Sequence, residues 1–134
     1  KIREYLFKKV LNYGFRFPAI ISSLSYVSKH ATIGAGTIVM HGSIINAGAK
    51  IGKNCIINSK SLVEHDAIIG DHCHLATRST VNGGVIIKNN TFIGSGSVIR
   101  QNIKIGKNCF VNANLFVRKN LKDNSKVRWV KIKL

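Results

Sequence analysis

Residues 44–81 read IINAGAKIGKNCIINSKSLVEHDAIIGDHCHLATRSTV, and this stretch decides the fold. Every sixth residue in it, from Ile45 to Val81, is Ile, Leu or Val. The same period continues on both sides, so that all sixteen positions from Val27 to Val117 are aliphatic. Because only 38 of the 134 residues are Ile, Leu or Val, chance placement does not explain an unbroken series. The chain is an internal repeat with a period of six residues.

A period of six fits neither the 3.6-residue period of an amphipathic helix nor the two-residue alternation of a strand. It is typical of a hexapeptide-repeat β-helix, in which short strands wind a triangular prism. Three hexads make one coil, and the sixteen hexads of residues 27–122 make about five coils. The pattern therefore predicts an all-β parallel β-helix, with the left-handed winding of known hexapeptide helices.

A second regularity supports the prism. The residue four positions after each aliphatic is small in twelve of sixteen hexads, the exceptions being Val85, Ile103, Leu115 and Leu121. One large and one small inward side chain per hexad would fill a narrow interior at normal packing density. The three cysteines, Cys55, Cys73 and Cys109, all occupy the small position, so we interpret them as core residues in a reducing compartment.

Glycines recur at one point of the coil. Each follows an aliphatic residue, and they lie multiples of eighteen apart: Gly34, Gly52, Gly70 and Gly106. We expect them to supply positive φ angles at a corner of the prism.

The outward position beside each inward aliphatic is itself apolar in ten hexads. Most of these residues fall in two columns, 38/56/92/110 and 44/62/98/116. Apolar columns on the outside of a prism indicate a protein partner. Three copies packed about a threefold axis would bury them, so we predict a homotrimer.

The ends of the chain lie outside the repeat. Residues 1–13 have apolar side chains at helical spacing with Gly14 as a stop, and residues 15–26 read as an extended lead-in. We divide the chain into this N-terminal segment 1–26, the β-helix 27–122 and a basic tail 123–134 with a terminal strand that covers the last coil. An uncovered end would expose unpaired backbone groups that promote aggregation.

The formal net charge is +16, from 21 Lys and Arg against 5 Asp and Glu. Nucleic-acid binding is not expected, because the basic residues are scattered at turns without a basic helix or aromatic platform. The last stretch, 118–133, carries seven basic residues, and it is either a solvated tail or a contact for the phosphates of a nucleotide-like ligand. No signal peptide or apolar run near eighteen residues is present, which favours a cytoplasmic protein without membrane insertion.

Three of the five acids lie at Glu64, Asp66 and Asp71, close to three histidines. His65 stands between Glu64 and Asp66, and an imidazole with an adjacent carboxylate is a candidate general base. Its neighbours one coil away are Ala47 and Gly83, and those of Asp66 are Gly48 and Gly84, which predicts an open slot over the imidazole. No Ser or Cys stands beside His65 as a nucleophile.

His74 interrupts the 38/56/92/110 apolar column. It lies nine residues from His65, half a coil, so the two side chains point to different sides of one prism. They can meet only across a subunit interface. The other histidines, His30, His41 and His72, have no supporting context and are expected to be surface residues.

The run of residues 45–99 resembles the bacterial hexapeptide-repeat acetyltransferases of surface-sugar synthesis, which include sialic acid O-acetyltransferases and N-acetyltransferases for UDP-linked or GDP-linked 4-amino sugars. Its most telling parts are INA at 45–47, NSKSLVEHD at 58–66 and IGDHCH at 69–74. The resemblance implies that His65 is the catalytic base, assisted by Asp66 where the family usually has Glu. It also implies that acetyl-CoA is the co-substrate.

The same resemblance assigns further residues by position. His74, Gly83, Ser95 and Ala113 would contact acetyl-CoA, and Asn58 would contact the acceptor sugar. Glu64 is expected to help Asp66 orient His65. Family members usually begin with a Rossmann-like domain for the sugar nucleotide, of which residues 1–13 would be the last helix. The family's Gly-x-Pro before the last strand is absent from SKVRWVKIKL at 125–134.

These observations favour an acetyl-CoA-dependent acetyltransferase that works as a homotrimer on the amino or hydroxyl group of a sugar or nucleotide sugar, with no metal. Two alternatives remain at this point. A γ-class carbonic anhydrase uses the same prism but needs three zinc-binding histidines, two of them five residues apart. A non-catalytic β-helical scaffold is the other.

Overall fold

In the computed structural model, which describes residues 2–129, one helix precedes a solenoid of eighteen two-residue strands. The helix α1 spans Ile2–Asn12, and Gly14 follows it with φ 84°. The strands are β1 (Ile20–Ile21), β2 (Tyr26–Val27), β3 (Thr32–Ile33), β4 (Ile38–Val39), β5 (Ile44–Ile45), β6 (Lys50–Ile51), β7 (Ile56–Ile57), β8 (Leu62–Val63), β9 (Ile68–Ile69), β10 (His74–Leu75), β11 (Thr80–Val81), β12 (Ile86–Ile87), β13 (Phe92–Ile93), β14 (Val98–Ile99), β15 (Lys104–Ile105), β16 (Phe110–Val111), β17 (Phe116–Val117) and β18 (Lys126–Val127).

The strands form three parallel sheets, the three sides of the prism. Sheet A orders its strands β1-β4-β7-β10-β13-β16-β18, sheet B β17-β14-β11-β8-β5-β2, and sheet C β15-β12-β9-β6-β3. Up to β17 every paired residue lies eighteen positions from its partner, as in Ile38↔Ile56 and His74↔Phe92. This confirms the predicted all-β parallel β-helix, and its hexapeptide repeats fit the left-handed form.

The interior contains one large and one small side chain from most hexads, as the sequence predicts. The aliphatic series is buried from Val39 to Val117, and the small residues four positions on are buried from Thr37 to Cys109. All three cysteines are free and buried, as expected for core residues. Their thiols donate to backbone carbonyls of the next coil, for example Cys55 Sγ to Gly70 O at 3.1 Å. Each inward aliphatic contributes about 1.5–3 kcal/mol of burial free energy.

The solenoid is longer than the repeat in the sequence, with about six turns instead of five. Strand β1 at Ile20–Ile21 already pairs with β4, so the ladder begins before Val27 in what was predicted to be an extended lead-in. At the other end the last coil is two residues short. Leu121 bridges to Ile105, and β18 pairs with β16 at Phe110↔Lys126, a separation of sixteen. Leu121 thus takes an aliphatic position, whereas the period had placed it at a small one.

The predicted C-terminal strand is present as β18, which extends sheet A. Residues 130–134, the rest of that prediction, lie outside the described residues. The predicted helix of residues 1–13 is confirmed as α1.

The predicted role of the four corner glycines is wrong. Positive φ angles occur two residues further on, at fourteen successive positions six apart: Gly36, Gly42, Gly48, Asn54, Lys60, Asp66, His72, Arg78, Gly84, Asn90, Gly96, Asn102, Asn108 and Asn114. Gly34, Gly52, Gly70 and Gly106 are needed for close approach instead. A β-carbon on Gly52 would lie 2.7 Å from the carbonyl carbon of Gly70 in the next coil.

Gly52→Ala should therefore lower the free energy of unfolding by about 1–3 kcal/mol, the usual cost of overpacking. The new β-carbon would meet the backbone of Gly70 and Asp71, which the ladder holds in place. The measurement is unfolding in guanidinium chloride followed by circular dichroism. Lys53→Ala, at the exposed neighbouring position, is the control and should change stability by less than about 0.5 kcal/mol. Equal stabilities of the two variants would contradict the close-approach explanation.

Candidate active site

The acid-flanked histidine lies at the corner where the chain passes from sheet B to sheet C. Residues 64–67 connect β8 to β9 at this corner. The backbone N–H of Asp66 donates to Ala47 O at 3.0 Å, and His65 O accepts the N–H of Gly84 at 3.0 Å. Because hydrogen bonds to the coil on either side fix the backbone, the position of the imidazole depends mainly on its own side-chain rotamer.

Asp66 is the residue that orients the imidazole. Its Oδ2 lies 2.9 Å from Nδ1 of His65, and both side chains are largely exposed. Asp66 has φ 58°, and its carboxylate folds back over the α-carbon of Gly48, where a side chain would collide with it. An ionised carboxylate can only accept, so in the neutral imidazole Nδ1 carries the proton and Nε2 has the free lone pair.

Gly83 is the small neighbour of His65 that the sequence predicted. The ring of His65 packs against the α-carbon of Gly83, and a β-carbon there would lie 2.6 Å from Nε2 and 2.7 Å from Cε1. Gly83 is thus required by the position of His65. The sequence correctly identified the pair of residues, and both of them line an open cleft.

A cleft of about 320 Å³ lies beside His65. It is lined by Glu64, His65, Asn82, Gly83, Gln101 and Asn102. None of these residues is Lys or Arg, although the chain carries 21 of them. The cleft therefore holds carboxylate and amide groups beside an imidazole, in a protein that is otherwise strongly cationic.

Glu64 does not contact the imidazole. Its Oε2 accepts a hydrogen bond from Nδ2 of Asn46 at 2.8 Å and a long one from the backbone N–H of His65 at 3.4 Å. Among the described residues 2–129, Asp66 is the one with a hydrogen bond to the ring nitrogen, so a role of Glu64 in orienting the imidazole stays a prediction. The role of Asn46 could have been suspected from its position, because it lies eighteen residues before Glu64.

His74 and Asn58 form a second cluster on sheet A and its edge. His74 pairs in register with Ile56 and Phe92, as predicted for a residue that interrupts the apolar column. Its ring meets Phe92 edge-on at 5.2 Å, and Nε2 lies 3.4 Å from Nδ2 of Asn58. Burial, and to a lesser degree the charge of Arg3, holds the pKa of His74 below its usual value.

The predicted site residues therefore fall into separate groups. Glu64, His65, Asp66 and Gly83 share the corner between sheets B and C, whereas His74 lies on sheet A. Ser95 and Ala113 lie at the corner between sheets A and B, in consecutive coils, where Ser95 O accepts the N–H of Asn114 at 2.8 Å. A single chain does not bring the three groups together.

His72 was expected to be a surface residue, and this expectation is wrong. Its Nδ1 lies 2.8 Å from Nδ2 of Asn54, and its ring meets Phe7 of α1 edge-on at 5.7 Å. Arg3 of the same helix donates to the carbonyl oxygens of Asn54 and His72. Burial lowers the pKa of His72, while the acids Glu4 and Asp71 act in the opposite direction. These contacts fix α1 on the corner between sheets C and A.

Within residues 2–129, no three His, Cys, Asp or Glu side chains are grouped as metal ligands would be. The carbonic anhydrase alternative therefore has no three-histidine ligand set in this part of the chain. In the same range, no helix has the length and apolar character that a membrane crossing requires.

The repeating prism with its histidine corner defines the class of hexapeptide β-helix proteins. The profile described as "Bacterial transferase hexapeptide (six repeats)" matches residues 30–65, 48–83 and 84–119. Since these segments span most of the chain, the protein belongs to the bacterial transferase hexapeptide family. No curated protein sequence matches it.

The solved structures that are similar to this chain include three bacterial proteins. The acetyltransferase domain of PglB from Neisseria gonorrhoeae FA1090, in complex with acetyl coenzyme A, has a TM-score of 0.90, 26% identity and coverage of 93% of this chain and 61% of that one. PerB from Caulobacter crescentus, in complex with CoA and GDP-perosamine, has a TM-score of 0.89 and 34% identity, and the match covers 91% of this chain and 59% of that one. WeeI from Acinetobacter baumannii AYE has a TM-score of 0.90 and 28% identity, and the match covers 93% of this chain and 61% of that one. The chain thus spans about three fifths of the length of each.

The lowered pKa of His74 leads to a prediction. Phe92→Ala should raise this pKa toward the ordinary histidine value, because removal of the ring hydrates the imidazole and favours its charged form. The neutral imidazole of the folded state contributes stability above the unfolded pKa, and this contribution is lost as pH falls through the folded pKa. NMR titration of the histidine ring carbons measures the change. Phe116→Ala, on sheet B, is the control and should leave the pKa of His74 unchanged. An equal rise of this pKa in Phe116→Ala would contradict the explanation that contact with Phe92 lowers it.

Proposed function

We propose that the protein is an acetyl-CoA-dependent acetyltransferase in which His65 is the general base and the acceptor is an amino sugar, free or nucleotide-linked. The observation that carries the proposal is the imidazole of His65, which lines the cleft while Asp66 holds Nδ1, so that Nε2 of the neutral ring has the free lone pair. The similar PglB domain has acetyl coenzyme A bound, and PerB has CoA and GDP-perosamine.

The reaction is a direct transfer. The bound ammonium group first loses one proton to water, and the neutral amine then attacks the thioester carbonyl carbon. His65 takes the second proton, which the nitrogen loses as the C–N bond forms. The C–S bond then breaks, and the imidazolium returns a proton to the thiolate of CoA. Asp66 stabilises the transient imidazolium by its hydrogen bond to Nδ1, the arrangement of an oriented histidine base.

The charges in the cleft favour an amine over a hydroxyl acceptor. Glu64 and Asp66 place two carboxylates beside His65, and none of the lining residues is cationic. Such a site attracts the ammonium form of an amino sugar and repels an acidic sugar such as sialic acid. This favours N-acetylation, which the sequence had left open beside O-acetylation.

A trimer would complete the site. The outward columns of sheets A and B are largely apolar, whereas sheet C presents Lys50 and Lys104. If sheets A and B face neighbouring copies, the His65 corner of one copy approaches the sheet A face of another, which carries His74 and Asn58. We therefore propose that His74, Asn58, Ser95 and Ala113 act on acetyl-CoA and acceptor from the adjacent subunit.

His65→Ala should lower kcat by about 10²–10⁴, the usual contribution of a general base. The fold should persist because the side chain is exposed. Turnover is followed by release of CoA thiol with a panel of GDP-linked and UDP-linked amino sugars. His30→Ala removes an exposed histidine at the same corner, two coils earlier, and is the control. Turnover by His65→Ala within a few-fold of His30→Ala would reject the assignment of the base.

Phe110→Lys should dissociate the trimer, because a lysine at a packed face buries an unpaired charge. Ile68→Lys on sheet C is a matched control, since Phe110 and Ile68 are 38% and 39% exposed in the single chain. Sedimentation velocity at micromolar concentration measures the mass. The wild-type protein and Ile68→Lys should sediment as trimers and Phe110→Lys as a monomer. A wild-type monomer would contradict the shared site.

A further inference from the structure

Glu64 is held by one oxygen only. Its Oε2 accepts hydrogen bonds from Asn46 Nδ2 and, at greater length, from the backbone N–H of His65. Within residues 2–129, Oε1 has no hydrogen-bond donor, and Glu64 lines the cleft beside His65. One carboxylate oxygen is thus anchored, and the other remains available to a ligand.

Asn46 is the side chain that fixes this carboxylate. Asn46, Glu64 and Asn82 each follow a strand of sheet B in consecutive coils, so their side chains stack in one column. Asn82 directs its amide to Ile99 O at 2.9 Å, so within residues 2–129 Asn46 is the one side-chain amide that donates to Glu64. A free glutamate would lose side-chain entropy when a ligand ordered it. Asn46 imposes part of that order in advance.

The amide of Asn46, which donates to Glu64, is uncharged, and this affects the charge of the site. A lysine at position 46 would also hold Glu64, but it would neutralise the carboxylate and weaken its attraction for a cation. An amide orients the carboxylate and leaves its negative charge in place. In a chain of net charge +16, this arrangement preserves a local anionic site.

We propose that Asn46 is a positioning residue for the acceptor: it aligns Glu64 so that Oε1 receives the acceptor's ammonium group beside His65. This inference rests on the proposed function, because it concerns the amine that His65 deprotonates. Asn46 touches neither substrate and acts only through Glu64.

The test separates binding from turnover. Binding of GDP-linked and UDP-linked amino sugars, each paired with its hydroxy counterpart, is measured by calorimetry without acetyl-CoA. The wild-type protein should prefer an amino sugar, and Asn46→Ala should weaken its binding roughly tenfold, the scale of a hydrogen bond to a charged group. Binding of the hydroxy counterpart should change by less than about twofold. In turnover, KM for the amine should rise with kcat nearly constant, as for a ground-state contact.

Asn46→Asp supplies a second readout. It places two carboxylates against each other, so that they share a proton and the pKa of Glu64 rises. Amine binding should then require a higher pH than in the wild-type protein. Asn108→Ala is the matched control, since Asn108 Nδ2 donates to Asn124 Oδ1 at 3.2 Å in an equivalent pair of neighbouring coils at another corner. It should leave both readouts unchanged.

The outcomes are distinct. If every amine and its hydroxy counterpart bind the wild-type protein alike, or if Asn46→Ala and Asn108→Ala bind the amine equally well, the inference is overturned, whatever the turnover. If amine binding is selective and depends on Asn46 but no acetyl transfer occurs, the inference about Asn46 stands and the proposed acetyltransferase activity fails.

Discussion

The hydrogen-bonded stacking of one coil on the next is the constraint on which the rest of the structure depends. Each strand has only two residues, so no strand is stable alone, and every ladder bond joins residues about eighteen positions apart. The corners must then reach the next strand in four residues, which imposes a left-handed backbone conformation once per hexad. For residues other than glycine this costs about 1–2 kcal/mol each. The corner N–H groups offset it by bonding to the previous coil, as Asp66 does to Ala47.

This constraint also positions the chemistry. Because side chains stack on those of the neighbouring coils, the environment of a corner residue is set by residues eighteen positions away. His65 can lie flat only because Gly83 has no side chain, and Asp66 can fold back only because Gly48 has none. The same stacking brings Asn46 to Glu64. A rigid backbone that orients an imidazole before substrate arrives removes a reorganisation cost from the reaction.

The sequence predicts most of what the period controls. The sheets, the filled interior and the association of His65 with Gly83 all follow from distances of six or eighteen residues, and the helix α1 follows from the helical spacing of apolar residues before the repeat. Features that depend on rotamers or on local breaks in the period were not predictable. The coil between Ile105 and Leu121 loses two residues, and the sequence marks this only by a large residue, Leu121, at a position where the repeat has a small one. His72 binds α1 through Asn54 and Phe7, which requires knowing where the helix packs. The corner glycines were misjudged because close approach and positive φ both select glycine.

The separation of the predicted site over one chain has a structural reason. Neighbouring sides of a triangular prism face different directions, so residues half a coil apart cannot converge on one small molecule. A substrate that needs both His65 and His74 must lie between copies, where an apolar side of one prism meets the corner of another. Assembly of the copies would then bury the two apolar columns and complete the site at the same time. In that arrangement the His65 corner, with its carboxylates, binds the amine, and sheet A binds the thioester beside His74, whose pKa is lowered by burial.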